Sequence, residues 1–206
     1  WVFYLIILAF TSFFLIKEFT KDNRIALFGG IATSFSTGIV LFLLIGHVTK
    51  LSSLCFYPLI FLMILKMEEK LSLKYILILT IALQMFLHGW HVQIIFYTLL
   101  SLAIYYLYNI VYFLFKKNTA KVFHFIKSGL TFTGAAIIAL LIQADNLTQI
   151  YEYNPYSTRG STSILESNKK SDNTEDSDFY NYATNWSFSP QEIATFIIPS
   201  YYGYGN

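Results

Sequence analysis

Charged side chains are scarce in this 206-residue chain, in which 14 Lys+Arg and 12 Asp+Glu make up only 13% of the residues. An ordinary soluble domain carries roughly 25%. Residues 75–115 contain no charged side chain, and residues 25–65 contain only Lys50. This pattern excludes a disordered chain, a coiled coil and a typical soluble enzyme.

Cysteine is also nearly absent, because Cys55 is the only one in the chain. A single cysteine forms no intrachain disulfide, and CxxC metal or redox motifs are missing. The sequence contains no Walker motif, GxSxG, GxGxxG or kinase signature. It also lacks a signal-peptide pattern with a basic n-region and a small-residue cleavage site. We therefore predict no cofactor, and the dependence on a divalent metal stays open.

Long apolar runs dominate the sequence, since hydrophobic residues make up 55% and aromatic residues 19%. A hydrocarbon core of about 30 Å requires about 20 apolar residues in a helix. These runs do not alternate as the strands of a membrane barrel do, and helices satisfy their own backbone in lipid. We predict an all-α membrane protein. Its bundle comprises residues 1–144, with six spans at about 1–16, 25–45, 51–66, 73–88, 92–115 and 128–144.

The third predicted span is short and contains Pro58, which is typical of a kinked or partly re-entrant segment. The chain starts at Trp1 within apolar sequence and stops shortly after an aromatic turn. We expect it to be an internal fragment of a longer membrane protein.

The distribution of Lys and Arg among the connections predicts the orientation of the bundle. One alternating set, at 17–24, 66–74 and 116–127, contains 3, 3 and 4 of these residues, whereas the connections at 46–50 and 89–90 contain 1 and 0. The positive-inside rule places the basic set in the cytoplasm. The basic connections are explained by topology and are too short to bind nucleic acid, so we predict no nucleic-acid partner.

The tail, residues 145–206, differs in charge from the bundle, since it holds eight acids and three bases. The orientation predicts that it forms an extracytoplasmic loop region. Its hydrophilic part at 161–178 is expected to be a mobile loop, and the aromatic cluster at 179–188 suits a membrane interface. Ser189, Pro190 and Glu192 favour a helix start, which predicts a short helix at about 190–198.

The turn that carries His47 and Lys50 is the first candidate for chemistry, because ionisable groups at a membrane are costly to bury. The two side chains lie three residues apart. Together they could hold a phosphate, with Lys50 as the charge and His47 as a hydrogen-bond donor. The alternative is a lysine that extends to water and a solvated histidine at a helix end.

The second candidate turn contains His88, Trp90, His91 and Gln93. The two imidazoles can meet if the turn is helical, Gln93 adds an amide, and Trp90 can stack on a sugar ring. The alternative is an aromatic-belt turn with polar capping. A zinc site needs more ligands than two histidines, and no metal motif is present, so we predict no metal site.

Arg159 is the only arginine on the predicted outer side. Its guanidinium fork matches a phosphate or a carboxylate. The alternative is an ordinary surface arginine in a loop.

Five short segments together resemble the bacterial YfhO-type family of membrane proteins, and they occur in that family's order across residues 40–206. They are GHVTKL at 46–51 with Pro58, HVQI at 91–94 with Tyr97, YSTRG at 156–160, YATNWS at 182–187, and QE at 191–192 followed by IPSYYG at 198–203.

The resemblance implies a fold of the GT-C glycosyltransferase type in the bacterial cytoplasmic membrane. Such proteins move a sugar from a polyprenyl-phosphate donor to an acceptor on the outer face, here a cell-envelope polymer or a glycolipid. It also implies a catalytic carboxylate in an external loop, which we expect upstream of Trp1. His47, Lys50 and Arg159 are then expected to bind the donor phosphate. The expected sugar or acceptor pocket comprises His88, His91, Gln93, Tyr182 and Trp186.

Two other functions stay open at this point. The chain could belong to a transporter or flippase for a lipid-linked or polar solute, although the spans lack the mid-depth charges that ion coupling uses. It could also be a non-catalytic scaffold of the cell envelope.

Overall fold

The computed structural model describes residues 2–156, 198 and 201, and the chain divides into two units, Trp1–Glu152 and Tyr153–Asn206. The described residues contain nine α-helices and one 3-10 turn, and none of them lies in a strand. In chain order the helices are α1 (Val2–Thr20), α2 (Asn23–Ser34), α3 (Thr37–Ile45), α4 (Val48–Leu54), α5 (Tyr57–Glu69), α6 (Leu73–His88), α7 (Val92–Phe115), α8 (Thr119–Ile142) and α9 (Ala144–Tyr153).

Five helical stretches are long and apolar enough to cross a membrane, which agrees with the predicted all-α membrane protein. They are Val2–Thr20, Asn23–Ile45, Val48–Glu69, Val92–Phe115 and Thr119–Ile142. α6 is apolar too, but its 16 residues extend only about 24 Å, less than the hydrocarbon core. The count of six spans therefore stays a prediction.

The first and last spans extend further into polar sequence than the composition predicts. α1 continues to Thr20 rather than to residue 16, and Glu18 near its end accepts hydrogen bonds from Lys21 and from Lys66 of α5. α8 begins at Thr119 rather than at residue 128, and the Asn118 side chain accepts a hydrogen bond from the amide of Lys121 at 3.1 Å. Ion pairing and capping let the helices continue where hydropathy alone indicates a loop.

The second and third spans are each interrupted. α2 and α3 are separated at residues 35–36, and α4 and α5 at residues 55–56. A free carbonyl inside lipid costs several kcal/mol, and here the Thr11 hydroxyl donates a hydrogen bond to the Cys55 carbonyl at 2.8 Å. Pro58 lies at the start of α5, where its missing N–H has no helical partner to lose. The third span is thus broken, as its short length and proline indicated.

The core lies along α5 and α6. α6 packs against α5 and α8, α1 packs against α2 and α5, and α7 packs against α8. The largest fully buried apolar side chains include Ile60, Ile64, Met67, Leu79 and Phe86. This packing leaves much of α2, α3 and α7 exposed, as expected for helices that face lipid or further protein.

Residues 145–153, predicted as part of an irregular extracytoplasmic loop region, instead belong to helix α9. Its first turn is held by side chains, since the Asn146 amide donates to Gln143 at 2.7 Å and the Gln149 amide donates to Asp145 at 2.9 Å. In the second unit, residues 154–156 form a 3-10 turn and the Tyr201 amide donates to the Ile198 carbonyl at 3.2 Å. Apart from Ile198, the predicted helix at 190–198 lies outside the described residues.

The alternation of the helices separates the connections into two groups. Residues 46–47 and 89–91 connect helices at one end of the bundle, which we call the histidine end. Residues 21–22, 70–72 and 116–118 connect helices at the other end, which we call the lysine end. The candidate site residues of the first unit all lie at the histidine end.

We expect the histidine end to face the outside. In a Cys55→Ala background, cysteines that replace the exposed residues Thr49 and His88 should react with an impermeant thiol reagent added to intact cells. A cysteine that replaces Thr119, which is exposed at the lysine end, should react only after the cells are opened. The reason is the excess of Lys and Arg at the lysine end. Labelling of the Thr119 position alone in intact cells would contradict this orientation.

Candidate functional site

The turn at residues 46–50 brings Lys50 back toward the end of α3. Gly46 ends α3 in the left-handed conformation, with φ of 85°, and the His47 amide donates to the Phe42 carbonyl at 2.9 Å. A residue with a side chain rarely adopts this conformation, so the glycine is what allows the sharp reversal. α4 begins two residues later, and Lys50 lies in its first turn.

Lys50 is held by an aromatic ring and not by a carboxylate. Its Nζ lies 4.8 Å from the centroid of the Phe42 ring, and that ring lies 6.2 Å from the His47 ring. Lys50 forms no salt bridge with any described acidic residue. A cation–π contact leaves the N–H groups of the ammonium able to donate. The half-buried charge is therefore still available to an anion.

Gly89 brings the second turn against α4. A methyl group at this position would lie 2.8 Å from the Thr49 carbonyl oxygen and closer still to the hydroxyls of Ser52 and Ser53. The Ser53 hydroxyl also donates to the Phe86 carbonyl at 3.0 Å, which fixes α4 to the last turn of α6. The two candidate turns are thus packed together by a contact that leaves no room for a side chain.

The charged groups of the first turn also act on His91 in the second turn. Burial lowers the pKa of His91 below its ordinary value of 6.5, and the nearby charges of Lys50 and His47 lower it further. Like charges disfavour the protonated imidazole. His47, Lys50 and His91 therefore form a cluster within electrostatic reach of one another, and an anion bound there would offset the Lys50 charge that acts on His91.

Two buried nitrogen atoms at this turn have no hydrogen-bond partner among the described residues. They are Nε1 of Trp90 and Nδ1 of His91. Trp90 also has a positive φ of 44°, which is unusual for a bulky side chain and marks local strain. Most buried polar groups in folded proteins are paired. A ligand could satisfy such orphaned groups, and the indole N–H of Trp90 requires an acceptor.

The structure does not bring every predicted site residue into this cluster. His88 and Gln93 are exposed, and their side chains make no hydrogen bond within the described part of the chain. Arg159, Tyr182 and Trp186 lie outside the described residues. The roles predicted for these three residues therefore stay predictions.

Phe42 and Gly89 are two residues of the site that the sequence reasoning missed. Phe42 lies one helical turn before Gly46, and a glycine that ends a helix and reverses the chain places that turn beside the next helix. This signal was present in the sequence. The close approach of Gly89 to α4 had no such signal, because it depends on how α4 and α6 pack.

The described residues contain no group of three His, Cys, Asp or Glu side chains that could hold a metal ion. No protein-family model, no curated protein and no solved structure matches the chain. The resemblance to YfhO-type proteins accordingly stays a prediction that rests on its five segments.

Gly89→Ala should destabilise the bundle by about 1–3 kcal/mol, because the added methyl group overpacks the contact with α4. The matched control is Gly134→Ala, where no atom lies within 4 Å of the added carbon and the better helix propensity favours folding by up to about 1 kcal/mol. Unfolding by SDS in mixed micelles measures both. Equal stability of the two variants would refute the tight packing of the two turns.

Lys50→Gln should raise the pKa of His91 toward its ordinary value of 6.5, because it removes a positive charge that disfavours protonation. An NMR pH titration of the His91 ring measures the change. Lys127→Gln removes an equal charge at an exposed position of α8 and should leave the titration unchanged. If both variants leave it unchanged, Lys50 does not act on His91.

Proposed function

We propose that this chain is part of an integral membrane glycosyltransferase, which moves a sugar from a polyprenyl-phosphate donor to a cell-envelope acceptor. The observation that carries the proposal is the cluster of His47, Lys50 and His91 at one end of an apolar helical bundle. Its charge is not neutralised by a described carboxylate. A lipid-linked phosphate is an anion that lies at this level of a membrane.

The chemistry requires a positive group at the donor phosphate. The bond between the sugar and the phosphate oxygen breaks, and the electron pair and the growing negative charge stay on the phosphate. A preorganised cation stabilises that charge in the transition state. Lys50 supplies the charge, and His47 and Arg159 supply further hydrogen bonds. In this proposal, a carboxylate of the kind that the resemblance implies accepts the proton of the acceptor hydroxyl, whose oxygen bonds to the sugar.

The sugar or acceptor lies on the second turn in this proposal. His88, His91 and Gln93 offer hydrogen bonds, and the orphaned Nε1 of Trp90 supports an oxygen-rich ligand at this position. Tyr182 and Trp186 keep the role in this pocket that the sequence predicts for them. In this arrangement His47, Lys50 and Arg159 bind the phosphate, and the second turn, which includes His91, binds the sugar or the acceptor.

A transporter or flippase for a lipid-linked solute is the second candidate, and the two interrupted spans favour it. Broken helices line the substrate sites of many transporters. The breaks at residues 35–36 and 55–56 occur in consecutive spans. Near them the described side chains are hydroxyl-bearing rather than charged, namely Thr11, Ser12, Ser34 and Ser53. Movement of a lipid-linked sugar across the membrane of vesicles, without transfer to an acceptor, would distinguish a transporter from a glycosyltransferase.

In the proposed glycosyltransferase, Lys50→Ala should reduce sugar transfer roughly 30- to 1000-fold, the equivalent of about 2–4 kcal/mol of transition-state stabilisation. Transfer from a purified polyprenyl-phosphate sugar measures the loss. Arg159→Ala should also reduce transfer, and Lys50→Arg should retain part of it because it keeps the charge but changes the geometry.

Lys127→Ala is the matched control, because it removes an exposed lysine far along the chain from the cluster. Turnover should stay normal there, and membrane insertion should be the same in all variants. Near-normal transfer in Lys50→Ala and Arg159→Ala would remove the cluster from the mechanism.

A further inference from the structure

A second polar site lies at the lysine end, far along every helix from the cluster at the histidine end. It is a cavity of about 410 Å³ between the last turns of α1 and α5 and the first turn of α8. Its lining includes Glu18, Phe19, Lys21, Leu65, Glu68 and Lys121. Because the cavity is at the ends of apolar spans, it is at the level of lipid headgroups.

Part of the charge around this cavity is already paired. Lys66 Nζ lies 2.8 Å from Glu18 and 3.1 Å from Glu69, and Lys21 Nζ lies 2.6 Å from the other carboxylate oxygen of Glu18. Both oxygens of Glu18 are therefore occupied. These ion pairs connect α1 with α5 and form one wall of the cavity.

The carboxylate of Glu68 is only partly hydrogen-bonded within the described residues. One of its carboxylate oxygens, Oε2, accepts a hydrogen bond from the Tyr105 hydroxyl at 2.7 Å, whereas Oε1 is buried and has no partner within the described residues. A buried polar atom without a partner is costly whether the group is charged or neutral. Glu68, which lines the cavity, therefore keeps one acceptor oxygen unsatisfied.

Lys121 provides the opposite charge on the same cavity. It forms no salt bridge with a described carboxylate, and its Nζ lies 6.0 Å from the centroid of the Phe113 ring. The Lys121 charge interacts electrostatically with the Glu68 carboxylate, although no hydrogen bond joins the two side chains. Glu68, with its unpaired acceptor, and Lys121, without a described carboxylate partner, therefore line the same cavity.

We propose that this cavity binds a phospholipid whose headgroup carries a primary ammonium. The ammonium donates a hydrogen bond to Glu68 Oε1, and the phosphate accepts one from Lys121. Phe19 and Leu65 provide apolar surface for the glycerol and the start of the acyl chains. This inference rests on the lysine end alone and does not depend on the proposed function.

The chemistry of the two partners sets the selectivity. A choline headgroup has the same net charge but no N–H group to donate to Glu68. A glycerol headgroup has no cation, so its phosphate is attracted to Lys121 but is repelled by the carboxylates of the cavity. Phosphatidylethanolamine meets both requirements and serves as the probe.

The test measures which lipid the protein retains. The purified chain is exchanged into micelles that contain equal amounts of phosphatidylethanolamine, phosphatidylcholine and phosphatidylglycerol, and native mass spectrometry counts the bound lipids. The ethanolamine lipid should be retained about tenfold over each of the others, since one charge-assisted hydrogen bond distinguishes it. Equal retention of the choline lipid would overturn the proposal without the use of any variant.

Glu68→Gln should abolish this preference while keeping the bond to Tyr105, because the amide replaces the orphaned acceptor by a donor. Glu152→Gln, an exposed glutamate of α9, is the matched control and should retain the preference. Lys121→Gln should lower retention of the ethanolamine lipid. A Glu68→Gln variant that keeps its full preference for the ethanolamine lipid would overturn the role of that residue.

Soluble phosphoethanolamine distinguishes a lipid from a free headgroup. At millimolar concentration it should not displace the retained lipid, because it lacks the glycerol and acyl groups that contact Phe19 and Leu65. Displacement would overturn the assignment to a lipid.

Discussion

The hydrocarbon core of a bilayer contains no water, so each peptide group inside it must find its hydrogen-bond partner within the protein. In this chain that constraint accounts for the all-helical fold of the described residues. It also accounts for the way the interrupted third span is tolerated, because Thr11 donates to the carbonyl at the break. Between α4 and α5, a hydroxyl group of α1 thus supplies a hydrogen bond at the break in the helix. The same constraint drives the charged side chains toward the ends of the spans.

The charged side chains at the two ends of the bundle have different partners. At the lysine end, Glu18 and Lys66 form short ion pairs that hold α1 against α5. At the histidine end, Lys50 rests on the ring of Phe42 and has no described acidic partner. An ion pair stabilises a helix contact, whereas an unpaired cation on an aromatic surface remains available to a ligand. The histidine end therefore supports a proposal about phosphate chemistry, whereas the lipid-headgroup proposal at the lysine end rests on Glu68 and Lys121, which lie outside those ion pairs.

Hydropathy predicted the helices well and their ends poorly. Of the six predicted spans, five correspond to helical stretches that are long and apolar enough to cross a membrane, because burial in lipid depends mainly on composition over about 20 residues. The ends differed where local contacts compensate polar residues. Glu18 keeps α1 helical through its ion pairs, and Asn118 starts α8 nine residues before the predicted position. The polar sequence of α9 predicted a loop, but a hydrogen bond between side chains one turn apart stabilises a helix there.

The amino-acid sequence by itself determined that the chain is helical and suited to a membrane, and it identified His47, Lys50 and His91 as polar groups at turns. These are local properties of composition and spacing. Only the tertiary structure decided that the two turns meet, that Gly89 permits this contact and that Phe42 lies beneath Lys50. It also decided that Glu68 bonds to Tyr105, which lies 37 residues away, and keeps one oxygen unpaired. Such contacts join distant parts of the chain and depend on how helices pack, which no spacing along a single helix specifies.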